Sequence, residues 1–172
     1  LCGTMSVGKT TLVNALKELE QFKGYKFATE RSQHLMSLGI PLNTDSTLKG
    51  QTVFLAERCG ELIYDNIITD RTILDVMAFT MNAKSIPHQD KEAFETYASE
   101  FIREYDYIFY ISPHGIEIED NGIRETDEHY RDLIDFTITT LIKRHGHKAG
   151  KIEKISGSTE ERIQQILNVT RL

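Results

Sequence analysis

Apolar positions along the chain recur in two patterns that alternate from one end to the other. From Lys9 onward, four residues follow the i, i+3, i+4, i+7 spacing of one helix face, namely Leu12, Ala15, Leu16 and Leu19. The runs Ile67–Thr69 and Tyr107–Ile111 are instead short and continuously apolar, as in strands that are buried on both faces. Because helical and strand-like segments alternate, the pattern predicts an α/β fold with a parallel sheet.

The same patterns divide the whole chain into strands and helices. Predicted strands cover residues 25–29, 67–69, 107–111 and 151–156, and the first residues of the chain are the end of a further strand. Predicted helices cover residues 30–38, 47–64, 74–83, 90–104 and 127–144, and a last helix runs from its cap Ser158 to about residue 169. No internal repeat or interdomain linker interrupts this order, so we expect the 172 residues to form one domain.

A phosphate-binding loop is predicted where the first strand meets the first helix. Residues 3–10 fit the pattern G-x-x-x-x-G-K-[ST], in which the glycines permit tight turns close to phosphate oxygens. The backbone amides of such a loop point inward as an anion nest at a helix N-terminus. Lys9 is expected to reach the β- and γ-phosphates of ATP, and the Thr10 hydroxyl is expected to bind Mg²⁺. The predicted nucleotide-binding residues of the loop are Gly3, Met5, Ser6, Val7, Gly8, Lys9, Thr10 and Thr11.

A P-loop needs a buried strand of about five residues in front of it. Leu1 and Cys2 are the only residues before the loop, so we expect this strand to continue upstream of Leu1. The alternative, a glycine-rich turn that binds no nucleotide, does not account for the amphipathic helix that follows the loop.

Composition narrows the class of protein further. With 40% hydrophobic residues and no apolar run of membrane-spanning length, the chain is expected to fold as a globular domain without a membrane partner. Its formal net charge of −6 disfavours non-specific nucleic-acid binding, which usually requires a basic surface. The two cysteines, Cys2 and Cys59, are expected to be buried hydrophobic residues and not a disulfide, which suits a cytoplasmic location.

Asp70 ends the strand at residues 67–69, where a Walker-B carboxylate that binds Mg²⁺ is expected. The alternative role of this Asp is to cap the next helix. The following residue, Arg71, distinguishes two classes of enzyme. ATPases that activate water usually have Glu at this position, whereas a guanidinium binds an anionic substrate or the transferred phosphoryl group. The Asp-Arg pair therefore favours a kinase over motor or transporter ATPases.

Several short motifs occur in an order that resembles the small P-loop kinases related to the nicotinamide riboside kinase domain of the NadR type and to the AAA_28-like group. They are the P-loop and residues 29–31 (Thr-Glu-Arg), 70–71 (Asp-Arg), 105–110 (Tyr-Asp-Tyr-Ile-Phe-Tyr), 120–124 (Asp-Asn-Gly-Ile-Arg) and 156–158 (Ser-Gly-Ser). The resemblance implies an ATP- and Mg²⁺-dependent kinase with a three-layer α/β/α fold. Its sheet would have five parallel strands in the order 2-3-1-4-5. A phage deoxynucleoside monophosphate kinase is equally compatible with these motifs.

In kinases of this type, the end of the second strand faces the phosphoryl acceptor. Glu30 is then a candidate to accept the proton of the attacking hydroxyl, and Arg31 is a candidate to bind substrate oxygens. Charges that begin a helix are an equally good explanation of both residues. Arg58 and Asp75 are weaker candidates for substrate binding, because each is more typical of a solvated charge.

The resemblance also implies a lid over ATP at residues 113–129, after the fourth strand. A lid excludes water and so directs the phosphoryl group to the acceptor. Arg124 and Arg131 are expected to neutralise charge on the transferred group, and an exposed loop with local salt bridges is the alternative. Gly157 and Ser158 are expected to lie against adenine, while Ser158 also forms a capping box with Glu161.

The sequence as a whole therefore predicts phosphoryl transfer from ATP to a small nucleoside or nucleotide. Two alternatives stay open at this point. The first is a kinase of a polynucleotide end or a modified DNA base, for which nucleic acid would be the partner. The second is a regulatory NTPase switch that has no acceptor. A homodimer is a candidate assembly in each case.

Overall fold

Strands and helices alternate along the chain, as the sequence pattern predicts. In the computed structural model, which describes residues 1–29, 32–116 and 127–172, the strands are β1 (Lys26–Ala28), β2 (Ile67–Thr69), β3 (Tyr107–Ile111) and β4 (Lys151–Ile155). The helices are α1 (Lys9–Lys17), α2 (Ser32–Ser37), α3 (Leu48–Glu61), α4 (Ile73–Asn82), α5 (His88–Ser99), α6 (Glu128–His145) and α7 (Thr159–Thr170). Short 3₁₀ turns lie at Glu20–Phe22, Asn43–Asp45, Glu100–Glu104 and Gly146–Lys148. The predicted α/β class is confirmed.

The strands pair in parallel in two ladders. β1 pairs with β2, with Lys26 opposite Ile67, and β3 pairs with β4, with Tyr107 opposite Lys151. Parallel neighbours need a crossover connection, and the helices between the strands supply it. Within the described ranges, these two pairs are the only ladders, so the order of a five-stranded sheet stays a prediction.

The first residues of the chain lie between the two strand pairs. On one side, the Leu1 amino group donates a hydrogen bond to the carbonyl oxygen of Thr69, in β2, at 2.6 Å. On the other side, the Cys2 N–H donates to the Phe109 carbonyl and the Ile111 N–H donates to the Cys2 carbonyl, both at 2.9 Å. The segment that leads into the P-loop is therefore anchored to β2 and to β3.

Side chains that alternate along the strands point to opposite faces and build two apolar clusters. Leu1 and Phe109 belong to one cluster, together with side chains of α1 and α7. Cys2, Ile108 and Tyr110 belong to the other cluster, which α3, α4, α5 and α6 complete. Helices therefore cover both faces of the strands.

Helix α4 occupies the centre of the second cluster. Its residues from Ile73 to Thr80 are all buried, and α3, α5 and α6 pack against it. A helix that is apolar on every side is stable only when it is surrounded. Because α4 begins directly after Asp70 and Arg71, its packing also fixes the position of these two residues.

Several helix ends differ from the sequence prediction. The predicted helix at residues 90–104 is two elements, since α5 begins at His88, directly after Pro87, and gives way to a 3₁₀ turn at Glu100. Proline suits the position before the first helical turn because that turn needs no N–H from it. α3 ends at Glu61, before the predicted end at residue 64, and β1 is shorter than the predicted strand at residues 25–29. Of the predicted helix at residues 30–38, the first two residues lie outside the described ranges.

Two expectations from composition concern the membrane and the cysteines. In the described parts of the chain, every helix is too short or too polar to cross a lipid bilayer.

Cys2 is fully buried and Cys59 is partly buried, and both thiols are free. Burial raises the pKa of both thiols above the usual value, which makes them poor nucleophiles. The expectation of buried, unlinked cysteines is confirmed for Cys2 and holds in part for Cys59.

Truncating the buried face of α6 is expected to destabilise the fold. Ile134 is fully buried, whereas its neighbour Leu133 is 41% exposed. Ile134→Ala should lower the free energy of unfolding by about 2–5 kcal/mol, because it removes buried methyl groups and leaves a cavity. Leu133→Ala is the matched control and should cost less than about 1 kcal/mol. Urea denaturation measures both values, and equal losses in the two variants would contradict this packing.

Candidate functional site

The P-loop turns tightly between the first residues of the chain and α1. Gly3 and Gly8 have φ angles of +152° and +80°, which glycine adopts without a steric penalty. A Cβ atom on Gly3 would lie 2.6 Å from the carbonyl oxygen of Ile111, so β3 leaves no room for a side chain there. Gly8 is the N-cap of α1, with no side chain to satisfy the first N–H groups of the helix. These N–H groups are available to an anion.

Lys9 closes the loop from the inside. Its Nζ donates hydrogen bonds to the carbonyl oxygens of Gly3, at 2.6 Å, and Thr4, at 2.7 Å, and the residue is 6% exposed. Burial lowers the pKa of the Lys9 ammonium, and the nearby charge of Arg71 lowers it further. A phosphate group in the loop would stabilise the charged form of this ammonium.

Thr10 and Asp70 meet beside the loop. The Thr10 hydroxyl donates to Asp70 Oδ2 at 2.5 Å, and Asp70 is 1% exposed. A hydroxyl and a carboxylate oxygen are hard ligands of the kind that Mg²⁺ prefers, and Mg²⁺ usually takes only one or two ligands from the protein. Clusters of three or more His, Cys, Asp or Glu side chains that could hold a metal are absent from the described residues. A cation held jointly by these two residues and a nucleotide is the arrangement that fits.

Asp75 connects the P-loop to the start of α4. Its Oδ1 accepts the Gly3 N–H at 3.0 Å. Its Oδ2 accepts the N–H and the hydroxyl of Thr72, at 2.8 Å and 2.7 Å, and so closes the capping box of the helix. The prediction that Asp75 is a solvated charge is wrong, because the side chain is fully buried and three donors satisfy it.

Arg71, the residue after Asp70, lines a pocket between α2, α3 and α4. Its guanidinium carbon lies 5.1 Å from the centre of the Phe79 ring, a distance at which a cation and an aromatic face attract each other. Apolar side chains in the pocket wall include Leu42, Phe54 and Val76. Two consecutive residues therefore lie at two different sites. Asp70 contacts the P-loop, and Arg71 lines the pocket.

Two polar side chains in the pocket wall have no partner among the described residues. Gln51 is 3% exposed, and its carboxamide makes no hydrogen bond with any described residue. The Ser46 hydroxyl is also buried without a partner in the described ranges. Buried polar groups are normally paired, because an unpaired one costs about 1–3 kcal/mol. A ligand that offers hydrogen-bonding atoms would remove this penalty.

Arg58 lies one turn further along α3 than the pocket residue Phe54. It is 2% exposed, and its Nη2 donates to Glu61 Oε1 at 2.6 Å, with Glu57 Oε2 at 4.0 Å. The prediction of a solvated charge is therefore wrong for Arg58 as well. It is not among the residues that line the pocket, so the structure lends its predicted role in substrate binding no support.

Arg131, on the first turns of α6, joins the predicted lid to the P-loop. Its Nη1 donates to the Ile116 carbonyl at 2.7 Å, and its own carbonyl accepts the Thr4 hydroxyl at 3.3 Å. The residue is 8% exposed and its Nε is buried without a partner in the described ranges. A role for Arg131 at the transferred phosphate stays a prediction. Three other predicted site residues lie outside the described ranges, namely Glu30, Arg31 and Arg124.

The loop between β4 and α7 contains the predicted capping box. The Ser158 hydroxyl accepts the Glu161 N–H at 3.2 Å, and Glu161 Oε2 accepts the Ser158 N–H at 2.7 Å. This capping role is confirmed. Gly157 has a φ of +92°, and a Cβ there would collide with the Glu161 carboxylate. Contact of Gly157 and Ser158 with adenine stays a prediction.

Gln51 and Arg162 are functional candidates that the sequence analysis missed. Arg162, on α7, is 8% exposed, and its Nη1 donates to the Val7 carbonyl of the P-loop at 2.8 Å. No sequence signal points to this contact, since the two residues are 155 positions apart. Gln51 did carry a signal, because a polar residue on the buried face of a helix is unusual. That face also includes Leu55.

Sequence comparison assigns the chain to a family. The model of the AAA_28 family, described as an AAA domain, matches residues 1–162. The chain belongs to the AAA_28 family. No curated protein matches the sequence significantly.

Solved structures of a nucleoside kinase have the same fold as this AAA_28 chain. Deoxyadenosine kinase from M. mycoides with bound dCTP has a TM-score of 0.66 and 19% identity, covering 99% of this chain and 96% of that chain. The same enzyme with the products dCMP and a flexible dCDP bound has a TM-score of 0.65 and 19% identity, covering 98% and 95%. At 19% identity, this likeness establishes the fold alone, which the chain shares with deoxyadenosine kinase.

Replacement of the first P-loop glycine should destabilise this AAA_28 protein. Gly3→Ala combines an unfavourable φ with a clash against the Ile111 carbonyl, so it should lower the free energy of unfolding by on the order of 2–4 kcal/mol. Gly24→Ala separates the two effects, because Gly24 has a φ of +94° but open space around its Cβ position. It should cost only about 1 kcal/mol. Urea denaturation gives both values, and equal costs would show that the close approach to β3 is unimportant.

Proposed function

We propose that this protein is an ATP- and Mg²⁺-dependent kinase that transfers the γ-phosphoryl group to a hydroxyl of a small nucleoside. The observation that carries the proposal is the position of two consecutive residues, Asp70 and Arg71. Asp70 meets Thr10 of the P-loop, and Arg71 lines a separate pocket. A donor site and an acceptor site that share one strand end are what direct phosphoryl transfer requires.

The donor site is the P-loop. The amides of the loop and the ammonium of Lys9 would hold the phosphates of ATP, and Thr10 and Asp70 would hold Mg²⁺. When bound, this cation would offset the negative charge of the phosphate oxygens. Gly157 and Ser158 are the proposed contacts of the adenine base.

The acceptor site is the pocket beside Arg71. Its apolar walls and the Phe79 ring suit a flat heterocyclic base, and the unpartnered Gln51 and Ser46 side chains suit the polar edge of that base. Arg71 is the only cation among the described residues that line the pocket. A nucleoside monophosphate brings two negative charges, so the lining favours an uncharged nucleoside.

The proposed reaction is a direct displacement. The nucleoside hydroxyl oxygen bonds to the γ-phosphorus as the bond from this phosphorus to the ADP oxygen breaks, and the hydroxyl proton passes to a carboxylate. Glu30, which follows β1 in the sequence, is the proposed proton acceptor, and Glu30 or Asp70 would position the acceptor oxygen. Arg71, Arg124 and Arg131 are the proposed cations that neutralise the transferred group.

The finer features of the fold are part of the same proposal. Residues 1–3 would belong to the central strand of a five-stranded sheet with the order 2-3-1-4-5, which their hydrogen bonds to Thr69 and Phe109 support. Residues 113–129 would form the lid within a single kinase domain. The likeness to deoxyadenosine kinase supports each of these features at the level of the fold.

The first test is ADP release from Mg-ATP with a panel of acceptors. The panel contains ribo- and deoxyribonucleosides, their monophosphates, nicotinamide riboside and DNA oligonucleotides. At least one nucleoside should stimulate release, and Lys9→Ala should reduce the stimulated rate at least about 100-fold, since it removes a charge that contacts the transferred group.

Other outcomes of this experiment point to other functions. Stimulation by oligonucleotides alone would indicate a nucleic-acid kinase. Stimulation by monophosphates alone would contradict the uncharged acceptor. ATP binding without stimulation by any acceptor would indicate a regulatory NTPase.

A second prediction concerns Gln51. Gln51→Leu should lower kcat/KM for the nucleoside about 10-fold to 100-fold and leave the KM for ATP unchanged, because the base loses its hydrogen-bonding partner. The same variant should unfold at a higher urea concentration, since a buried carboxamide without a partner is replaced by an apolar group. Gln89→Leu, at an exposed position on α5, is the matched control and should change neither kinetic constant. Weaker ATP binding in Gln51→Leu would contradict the assignment of this pocket to the acceptor.

A further inference from the structure

The outer side of the P-loop is in contact with a buried cation from the other end of the chain. Arg162 extends from the first turn of α7, and its Nη1 donates to the carbonyl oxygen of Val7 at 2.8 Å. The side chain is packed so closely that a Cβ on Gly8 would lie 3.2 Å from the same nitrogen. The second glycine of the loop therefore leaves room for the guanidinium as well as permitting the turn.

We propose that Arg162 is a positioning residue of the phosphate site, which keeps the Gly8 N–H directed toward the bound phosphate by holding the Val7 carbonyl. In a planar trans peptide, the C=O and the following N–H point in opposite directions. A donor that holds the Val7 carbonyl on the outer side of the loop thus turns the Gly8 N–H toward the inner side. The inference rests on the proposed function only in requiring that the P-loop binds phosphate.

The charge of Arg162 adds to the effect of its hydrogen bond. Among the described residues, no carboxylate forms an ion pair with Arg162, and its Nε is buried without a partner. The acidic residues on the same helical turn, Glu160 and Glu161, are exposed. A buried positive charge without a counter-ion raises the potential at the loop, and a bound polyphosphate supplies the missing negative charge.

A role in folding alone would not explain this arrangement well. Burial lowers the pKa of Arg162, because removing a charged guanidinium from water is unfavourable. An apolar side chain of the same length would fill the space without this penalty. Such a side chain could not hold the Val7 carbonyl.

The experiment is a titration of inorganic tripolyphosphate and of ATP into the protein by calorimetry. Tripolyphosphate reports on the phosphate site without any contribution from adenine or ribose. Arg162→Met, which keeps the length of the side chain but has no donor, should weaken binding of both ligands by the same factor, about 10-fold to 100-fold. Arg162→Lys keeps a charge and a donor and should recover part of the affinity. Arg171→Met, which removes an exposed charge from the end of the same helix, should bind both ligands like the unmodified protein.

Two other results of the titration would contradict the inference. Unchanged tripolyphosphate affinity in Arg162→Met would show that Arg162 does not position the loop. Loss of ATP affinity alone would place Arg162 at the nucleoside part of the donor. If Arg162→Met does not fold, Arg162→Gln decides, because its shorter, uncharged side chain cannot hold the Val7 carbonyl as the guanidinium does. Unchanged tripolyphosphate affinity in that variant would again exclude positioning.

The test also separates this inference from the kinase proposal. Tripolyphosphate binding that depends on Arg162, in a protein that phosphorylates no acceptor, would leave the inference intact and remove the kinase. A protein that binds no tripolyphosphate at all would overturn both.

Discussion

The buried carboxylate of Asp75 is the interaction on which the arrangement of both sites depends. One oxygen holds the first amide of the P-loop, at Gly3, and the other holds the N-terminus of α4 through Thr72. A fully buried carboxylate is unfavourable unless donors surround it, and here three donors do so. Any displacement of α4 relative to the loop would break this set of hydrogen bonds. The phosphate-binding loop and the most deeply packed helix therefore move as one unit.

This unit explains how two sites are held in a fixed relation. Arg71 comes just before α4, and Phe79 is part of it, so the helix positions two walls of the pocket that we propose for the acceptor. Asp70 is held beside the P-loop by its hydrogen bond with the Thr10 hydroxyl. Burial lowers the pKa of Lys9, and the nearby charge of Arg71 lowers it further. Phosphoryl transfer depends mostly on positioning and electrostatics, and in the proposed reaction these consecutive residues would provide both.

Several polar groups in these sites have incomplete partners, and this distribution reflects a compromise between stability and function. The Ser46 hydroxyl and the Nε atoms of Arg131 and Arg162 are buried without partners among the described residues. The Gln51 side chain is 3% exposed and makes no hydrogen bond to a described residue. An apolar residue at each of these positions would raise the free energy of unfolding. They surround the P-loop and the pocket, where a nucleotide and an acceptor would complete their interactions. Arg58, which lies outside the pocket, is paired with Glu61, although its Nε is also buried without a partner in the described ranges.

The sequence by itself determined the P-loop, the order of strands and helices, the Asp70-Arg71 motif and the capping box at Ser158. Each depends on residues that are close in the chain, where glycine conformation, hydrophobic periodicity and local hydrogen bonds act directly. Helix ends were less predictable, because Pro87 and tertiary packing decide where α5 begins and ends. Only the tertiary structure decided that Asp75 and Arg58 are buried, and that Gln51 and Arg162 face the two sites. These assignments depend on contacts between distant segments, up to 155 positions apart for Arg162 and Val7, and such contacts form only when the strands and helices pack together.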